Sequence, residues 1–527
     1  MKHQFNVLHG RSQTADKQNV HPAPASASWS TVAPALLLVA LAACGRAAYL
    51  SQTVGSDTAM FVYMGKLVDS GGRLGVDLVD NKLPSVGLLM SVPYRLFEAN
   101  WSAYTLLGLA MTLIATFMLA RAAGRCIGPA ATWPVAVGAA VWLNFPLAVF
   151  GLLQLETIQV FFVALAACAI MEFLCGRDWR DALLAGLCAG VAVWAKPTAA
   201  AVLPAAVAAI AFGVNWSWRQ RALGVLWISL GAVVPIALCA LLLVKTGMAD
   251  ALPETLHQLR DYAANSTADW GDLAKPVVVI IALAFPILIL GWVFRRAGPD
   301  GGASRAIILF VIAWLLMELI GVVAQRRMYG YHFLVLGPPA ALLAGLVARR
   351  PRAVPLLAAY GPIIVLSLLW AGGMLFLPDR HLRMTAVINR LEKYASPGDR
   401  VWIDDYPRLM TETHFVPGSR VPLTFLFANS DAAPAHFGGQ ILRDFEQSRP
   451  QWIVLPHDVE EFTKRYGQEM AELAAYPQRA MAFAHAWRRI DDYARANYTV
   501  VETVQGLDVM VRRPDPAGED VAISPRD

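Results

Sequence analysis

Acidic and basic side chains are concentrated between two apolar segments, in residues 54–89. Among them are Asp57, Asp69, Arg73, Asp77, Asp80 and Lys82. So many ionisable groups directly after a hydrophobic segment are difficult to explain by packing, because a charged side chain is costly to bury without a partner. A positioned carboxylate can accept a proton, and a lysine ammonium can hold an anion. The stretch is therefore predicted to be the catalytic loop of a membrane enzyme.

The composition of the chain is that of a polytopic membrane protein. Of its 527 residues, 57% are hydrophobic and only 16% are charged, and the mean hydropathy is +0.47. The net charge of +5 is modest, and lysine and arginine recur in short clusters, so nucleic acid is not expected as a partner. The six cysteines lie in or beside apolar runs without a CxxC pair, which predicts neither a disulfide framework nor a zinc site.

About eleven apolar runs approach the length of about 20 residues that spans a bilayer. They occupy residues 33–50, 101–120, 130–150, 157–175, 181–195, 198–214, 222–244, 274–294, 305–323, 332–348 and 353–376. A flexible polar tail, residues 1–30, precedes a transmembrane catalytic domain, residues 31–376, whose catalytic loop covers residues 51–100. The first run carries Arg46 near its end, where a long side chain can extend to the interface.

The basic connectors predict the orientation of these spans. Residues 84–97 are apolar but number only about 14, so they are predicted to be a helix that lies in the membrane interface. With that assignment, the N-terminal tail and the arginine clusters fall on one side, the cytoplasm. The loop that holds Asp57 and the C-terminal region then face the periplasm of a bacterial inner membrane.

Residues 377–527 have the composition of a small periplasmic α/β domain. MTAVINRLEKY and EEFTKRYGQEMAELAAY are typical of helices, RVWIDDY and QWIVLP of short buried strands, and YTVVETVQGLDVMV of a hairpin that turns at Gln505 and Gly506. The predicted fold class is therefore mainly α: a helical membrane protein with a small C-terminal α/β soluble domain.

The predicted topology selects ionisable residues that lie beside spans on the non-cytoplasmic side. They are Asp57, Asp80, Lys82, Glu156, Lys196, Lys245, Arg260, Arg326, Arg327 and His332. A charge at membrane depth costs about 2.5 to 3.5 kcal/mol on insertion scales, so such residues are functional candidates. Interfacial placement or a structural ion pair is the alternative, most of all for Lys245 and Arg260.

Five motifs in order along this face resemble the GT-C membrane glycosyltransferases. Asp57 with Thr58, and DNKLP around Lys82, resemble the Asp-Glu and Lys-Pro-Pro motifs of the first external loop in the protein O-mannosyltransferase and lipid A aminoarabinose transferase group. Leu155-Glu156-Thr157, WAKPT around Lys196, and QRRMYGYHFLVLGPPAALLAG from Gln325 resemble three further stretches of that group. In relatives the histidine of the last stretch usually precedes an aromatic residue, whereas here Tyr331 precedes His332.

The resemblance implies transfer of a sugar, with inversion, from a polyprenyl-phosphate donor to a hydroxyl of a lipid, glycan or protein acceptor. It assigns Asp57 to the base or acceptor-orienting carboxylate. Cations would hold the donor phosphate: Lys82, Arg326, Arg327 and Lys196. Glu156 is the second candidate catalytic residue, and the supporting residues are Asp80, Tyr329 and His332.

Several assignments stay open at this point. Asp80 and Glu156 would either bind a divalent cation together with Asp57 or balance Lys82 and the arginines, and charge balance is favoured. Lys196 would either reach the phosphate or extend to the interface, and His332 is more typical of packed aromatic surroundings than of a catalyst. A membrane carrier or lipid flippase is the alternative function, for which charges would line a path through the spans. A catalytically inactive scaffold of the same fold is a further alternative.

Overall fold

The structure is a computed structural model of the chain. It describes residues 29–47, 56–145, 153–264, 274–294, 304–325, 329–348, 353–376, 382–404, 406–422, 424–473 and 476–514.

Most of the first three quarters of the chain folds into a bundle of apolar helices, as the hydropathy predicts. Its helices are α1 (Trp29–Ala47), α4 (Trp101–Cys126), α5 (Thr132–Leu143), α6 (Leu155–Gly176), α7 (Trp179–Ala195), α8 (Val202–Ala208), α9 (Trp218–Lys245), α11 (Ala274–Phe294), α12 (Arg305–Ala324), α13 (Gly337–Val347) and α14 (Ala353–Phe376). The more polar helix α10 (Leu252–Ala264) connects α9 to α11. Within the described residues, six helical segments are long and apolar enough to span a membrane, and four shorter ones are equally apolar. The protein is therefore a multi-pass membrane protein, whereas the number of crossings and the side of each terminus stay predictions.

The predicted catalytic loop is largely helical. It consists of α2 (Ser56–Asp69), a turn segment, and α3 (Ser85–Phe97), which coincides with the helix predicted over residues 84–97, whereas its placement in the membrane interface stays a prediction. The two helices meet at Gly65, where any side chain would run into the main-chain oxygen of Met90. Helix α2 was not foreseen, although its residues 59–64 are apolar and buried on all sides of the helix.

Contrary to the prediction, Arg46 does not extend to the interface. Its side chain is 1% exposed, and the guanidinium packs against Gly108 of α4. Because Gly108 has no side chain, the planar guanidinium fits between α1 and α4. The basic residue at the end of the first run is thus a buried member of the bundle.

The C-terminal domain contains one five-stranded sheet with helices packed around it. Its elements are α15 (Leu382–Tyr394), β1 (Arg400–Ile403), α16 (Pro407–Glu412), β2 (Val416–Pro417), α17 (Ala433–Ser448), β3 (Trp452–Pro456), α18 (Val459–Glu472), α19 (Pro477–Asn497), β4 (Tyr498–Val504) and β5 (Leu507–Arg512). The strand order is β2-β1-β3-β5-β4, parallel from β2 to β3 and antiparallel beyond. The hairpin turns at Gln505 and Gly506, both with positive φ, as predicted.

The soluble domain packs directly on the helices of the catalytic loop. Tyr63 of α2 and Tyr406 make an edge-to-face ring contact with centroids 5.9 Å apart. The Trp101 indole N–H donates to Glu412 at 2.8 Å, and the main-chain N–H of Val79 donates to the carbonyl of Arg420 at 2.8 Å. One continuous apolar cluster therefore includes α2, α3 and the sheet.

Candidate active site

The ends of several helices meet at one end of the bundle and bring the predicted site residues together. Asp57 lies in the first turn of α2, Glu156 in the first turn of α6, and Lys196 directly follows α7. Lys82 lies between α2 and α3, and His332 lies in the 3₁₀ turn Gly330–Leu336 that leads into α13. Because α6 and α7 are consecutive helices that run in opposite directions, the start of one adjoins the end of the other.

A buried ion pair joins the two helices of this junction. The Lys196 ammonium lies 2.7 Å from Glu156 Oε1, and the exposed fractions of the two side chains are 20% and 5%. Lys196 therefore points into the site and not towards the interface. His332 Nε2 lies 3.9 Å from the same carboxylate oxygen, too far for a hydrogen bond.

A second ion pair lies within the loop itself. The Lys82 ammonium is 3.1 Å from Asp80 Oδ1 and donates to the side-chain oxygen of Asn81 at 3.3 Å. The ring of Phe61 lies below the ammonium, with 5.8 Å between the nitrogen and the ring centroid. Among the described residues, Asp80 Oδ2 is buried and has no hydrogen-bond partner. This second carboxylate oxygen can therefore accept a further hydrogen bond.

Asp57 is a buried acidic group on which both lysines act. Burial raises the pKa of Asp57 most, and the negative charge of Glu156 raises it further, whereas Lys82 and Lys196 lower it. The net result is a raised pKa. For Lys82, burial alone would lower the pKa, but the charges of Asp80 and Asp57 reverse the effect and raise it. Asp57 is thus poised to take up a proton, and Lys82 remains cationic.

Aromatic rings line the site on the side of the 3₁₀ turn. The His332 ring packs edge-to-face against Tyr331 and Tyr329, with centroids 4.7 and 5.6 Å away. His332 is only 5% exposed. Tyr331 lies within electrostatic range of Asp57 and Glu156. The three rings give the cluster of charges a wall that is mostly apolar.

Other predicted residues are placed differently or fall outside the described residues. Arg326 and Arg327 lie outside them, so their role stays a prediction. Lys245 and Arg260 are exposed, as expected of interfacial residues.

Glu318 of α12 was missed by the sequence analysis. It is 1% exposed, accepts the Trp314 indole N–H at 2.9 Å, and lies within electrostatic range of Lys196. The sequence does indicate Glu318, because it is an acidic residue within the otherwise apolar run of residues 305–323.

The carboxylates fit charge balance better than a dedicated metal cage. Glu156 and Asp80 are each paired with a lysine. Within the described part of the chain, no group of three His, Cys, Asp or Glu side chains is arranged to hold a metal ion. Since hard divalent cations prefer several oxygen ligands at once, such a cation would compete with Lys82 for Asp80 and with Lys196 for Glu156.

The chemistry of the arrangement follows from its charges. Lys82 and Lys196 are two cations on separate elements, and each ammonium can offer hydrogen bonds to phosphate oxygens. Asp57, with its raised pKa, can accept a proton from a hydroxyl group. Such a site suits a reaction in which an alcohol is deprotonated while a phosphate is held and leaves.

No family model and no curated protein matches the sequence. Solved structures do match the fold. ArnT from Cupriavidus metallidurans bound to undecaprenyl phosphate aligns with a TM-score of 0.57 and 14% identity, over 93% of this chain and 98% of that one. The apo oligosaccharyltransferase of Archaeoglobus fulgidus aligns with a TM-score of 0.52 and 13% identity, over 85% and 72%. AglB from the same organism, in complex with an inhibitory peptide and a dolichol-phosphate, aligns with a TM-score of 0.51 and 12% identity. The alignment covers 86% of this chain and 72% of that one.

These solved structures are GT-C membrane glycosyltransferases, so the resemblance inferred from the five sequence motifs is confirmed at the level of the fold. At identities of 12% to 14%, the likeness concerns the fold alone.

Proposed function

We propose that the protein is a glycosyltransferase that moves a sugar, with inversion, from a polyprenyl-phosphate donor to a hydroxyl acceptor. The carrying observation is the convergence of Asp57, Lys82, Lys196 and Glu156 at one end of a GT-C fold. The solved structure of ArnT with undecaprenyl phosphate supports the class of donor. The acceptor is a lipid, glycan or protein, and the proposed location is the periplasmic face of a bacterial inner membrane.

In the proposed reaction, Asp57 orients the acceptor hydroxyl and takes its proton as the oxygen attacks the anomeric carbon. Positioned general bases contribute typically about 10²- to 10⁴-fold in rate. The bond between the sugar and the phosphate breaks on the opposite side, which inverts the anomeric centre. Lys82 holds the departing phosphate, and stabilising the charge that develops there is often the largest catalytic contribution.

Lys196 is the second cation proposed to hold the donor phosphate. In the structure its ammonium is held by Glu156, so the Glu156 carboxylate keeps a cation at the site before any phosphate arrives. Arg326 and Arg327 are proposed as further phosphate ligands because an arginine offers a bidentate fork. The soluble domain, which packs on α2 at Tyr63, would shape the access of the acceptor.

The test is release of polyprenyl phosphate by purified protein that is offered a panel of polyprenyl-phosphate sugars. Asp57→Asn and Lys82→Ala are expected to abolish release while the protein remains in the membrane. Asp69→Asn is the matched control, because Asp69 is also an acid of α2 but lies exposed beside Arg95. Full activity of both site variants would overturn the assignment.

The same experiment separates the alternatives. A carrier or flippase would move the intact donor across vesicles without releasing its phosphate, and an inactive scaffold would do neither. The enzyme is favoured because the ion pairs of Lys82 and Lys196 lie at one end of the bundle rather than along a path through it.

A further inference from the structure

Arginine and tryptophan side chains lie together at the end of the bundle opposite the candidate active site. Helix α6 begins beside Glu156 and ends at Gly176, about 30 Å further along its axis at 1.5 Å per residue. At that far end, Arg177 lies 5.3 Å from the ring centroid of Trp216, and Arg219 lies 5.7 Å from that of Trp218. Tryptophan and arginine in this combination are typical of a membrane–water interface.

A groove opens at this end between α9 and the π-helical turn Ala209–Gly213. It is a shallow, open groove with a volume of about 600 Å³, and its walls are mainly apolar. Arg221, Val225 and Ser229 line it at intervals of one helical turn, so it runs about 12 Å along α9, away from the interface. Its shape suits a hydrocarbon chain that lies parallel to the helix.

A positive charge stands at the head of this groove. Arg221 donates to the carbonyl oxygens of Ala211 at 2.7 Å and Val214 at 2.9 Å. These bonds satisfy carbonyls at the end of the π-helical turn. Among the described residues, the Arg221 Nε is buried without a hydrogen-bond partner, and no carboxylate there pairs with the guanidinium. The positive charge of Arg221 at this position favours the binding of an anion.

The surroundings of Arg221 indicate what that anion belongs to. Trp218 forms the rim of the groove and is 73% exposed, and Arg219 adds a second cation beside it. Basic pockets between membrane helices at an interface are suited to the head groups of anionic lipids. The distance of about 30 Å from the candidate active site separates this groove from any donor held by Lys82.

We propose that the groove binds an anionic phospholipid of the surrounding bilayer. Its phosphate would lie at Arg221 and Arg219, and one acyl chain would lie along Val225 and Ser229. This assignment does not depend on the proposed transfer reaction, because it rests on residues at the other end of the bundle.

The test uses native mass spectrometry of the full chain after reconstitution in nanodiscs of phosphatidylcholine with phosphatidylglycerol. The wild-type protein is expected to keep one phosphatidylglycerol molecule on release from the nanodisc. Arg221→Gln is expected to lower that retention about tenfold, the effect of one lost charge-assisted hydrogen bond. The readout is a mass, so it stands whether or not the protein transfers sugar.

A second variant covers the case in which Arg221→Gln fails to fold. Ala222→Trp fills the groove from its exposed side, leaves the Arg221 hydrogen bonds in place, and is expected to expel the lipid to a similar extent. Arg180→Gln is the matched control, since Arg180 lies at the same end, over Trp179, and does not line the groove. Equal retention of the two lipids, or undiminished retention by Ala222→Trp, would overturn the proposal.

Discussion

The ammonium of Lys66, on α2, donates to the main-chain oxygen of Met410, on α16, at 2.6 Å. The same ammonium reaches the carbonyl of Thr413 at 2.9 Å. A cation at the end of a helix satisfies carbonyls that have no partner within the helix and complements the helix dipole. The helix that carries Asp57 in its first turn is thus attached to the soluble domain by a charge as well as by apolar packing.

Lys66→Met is therefore expected to loosen the soluble domain. Hydrogen bonds to charged groups contribute about 1.5 to 3 kcal/mol, so the variant should show a lower unfolding temperature and faster proteolysis near α16. Lys464→Met is the control, because Lys464 forms an exposed i,i+4 pair with Glu460. If both variants behave alike, the contact of Lys66 does not stabilise the docking.

The pKa of Asp57 predicts how activity depends on pH. A base acts only when ionised, so activity falls as the pH drops through the pKa of Asp57. Because burial raises that pKa, the fall should begin above the pH at which an ordinary aspartate, with a pKa of 3.8, becomes protonated. Lys196→Met removes a charge that lowers this pKa and should move the acid limb of kcat/KM to higher pH.

Arg95→Met provides the comparison for this pH profile. Arg95 is an exposed cation of α3 that pairs with Asp69, and its loss should leave the limb in place. If the acid limb lies at the same pH in the wild-type protein and in Lys196→Met, Asp57 is not the titrating base.

Lys82 and Asp80 can be separated by a double variant. Lys82→Ala leaves Asp80, whose side chain is 3% exposed, without its partner, and breaking a buried pair in this way costs about 3 to 5 kcal/mol. Adding Asp80→Asn removes the isolated charge and should restore most of the thermal stability. Transfer activity should stay lost, since the double variant still lacks the Lys82 ammonium that holds the departing phosphate. Recovery of transfer in the double variant would reduce Lys82 to a partner of Asp80.

Helices α7 and α9 are in contact through two glycines. A side chain on Gly186 would overlap the carbonyl oxygen of Ile228, and one on Gly231 would overlap that of Leu183. Small residues let membrane helices approach closely. Gly186→Leu is therefore expected to cost about 3 kcal/mol or more and to displace Lys196 at the end of α7, with loss of thermal stability and activity. Gly291→Leu, at an open position of α11, should be tolerated; equal effects would contradict the close packing.

Hydropathy was sufficient to predict the helices of the bundle, because each apolar run must satisfy its own backbone hydrogen bonds in lipid. The strands around Trp402 and Ile453 and the turn at Gly506 were equally visible, since alternation and positive-φ residues leave local signals. Helix α2 was hidden because the charged residues of segment 54–89, among them Asp57 and Asp69, made the whole segment look like a loop.

The partners within the site could not be read from the sequence. Asp80 and Lys82 are two residues apart, so their pairing was foreseeable. Glu156 was expected to balance Lys82 and the arginines, but it pairs with Lys196, 40 residues away. Which faces of α6 and α7 meet depends on the rotation of each helix about its axis, and hydropathy alone does not specify the rotation of a helix that is apolar all round.

The contact between Lys66 and Met410 also sets an order of events during synthesis. The two residues are 344 positions apart, and at about 5 to 20 residues per second the ribosome needs about 20 to 70 s to make the intervening chain. During that interval the later membrane helices are still being made, and Tyr63 and Lys66 have no soluble domain to pack against. The charged end of the bundle thus acquires its final form only when the last domain of the chain has folded.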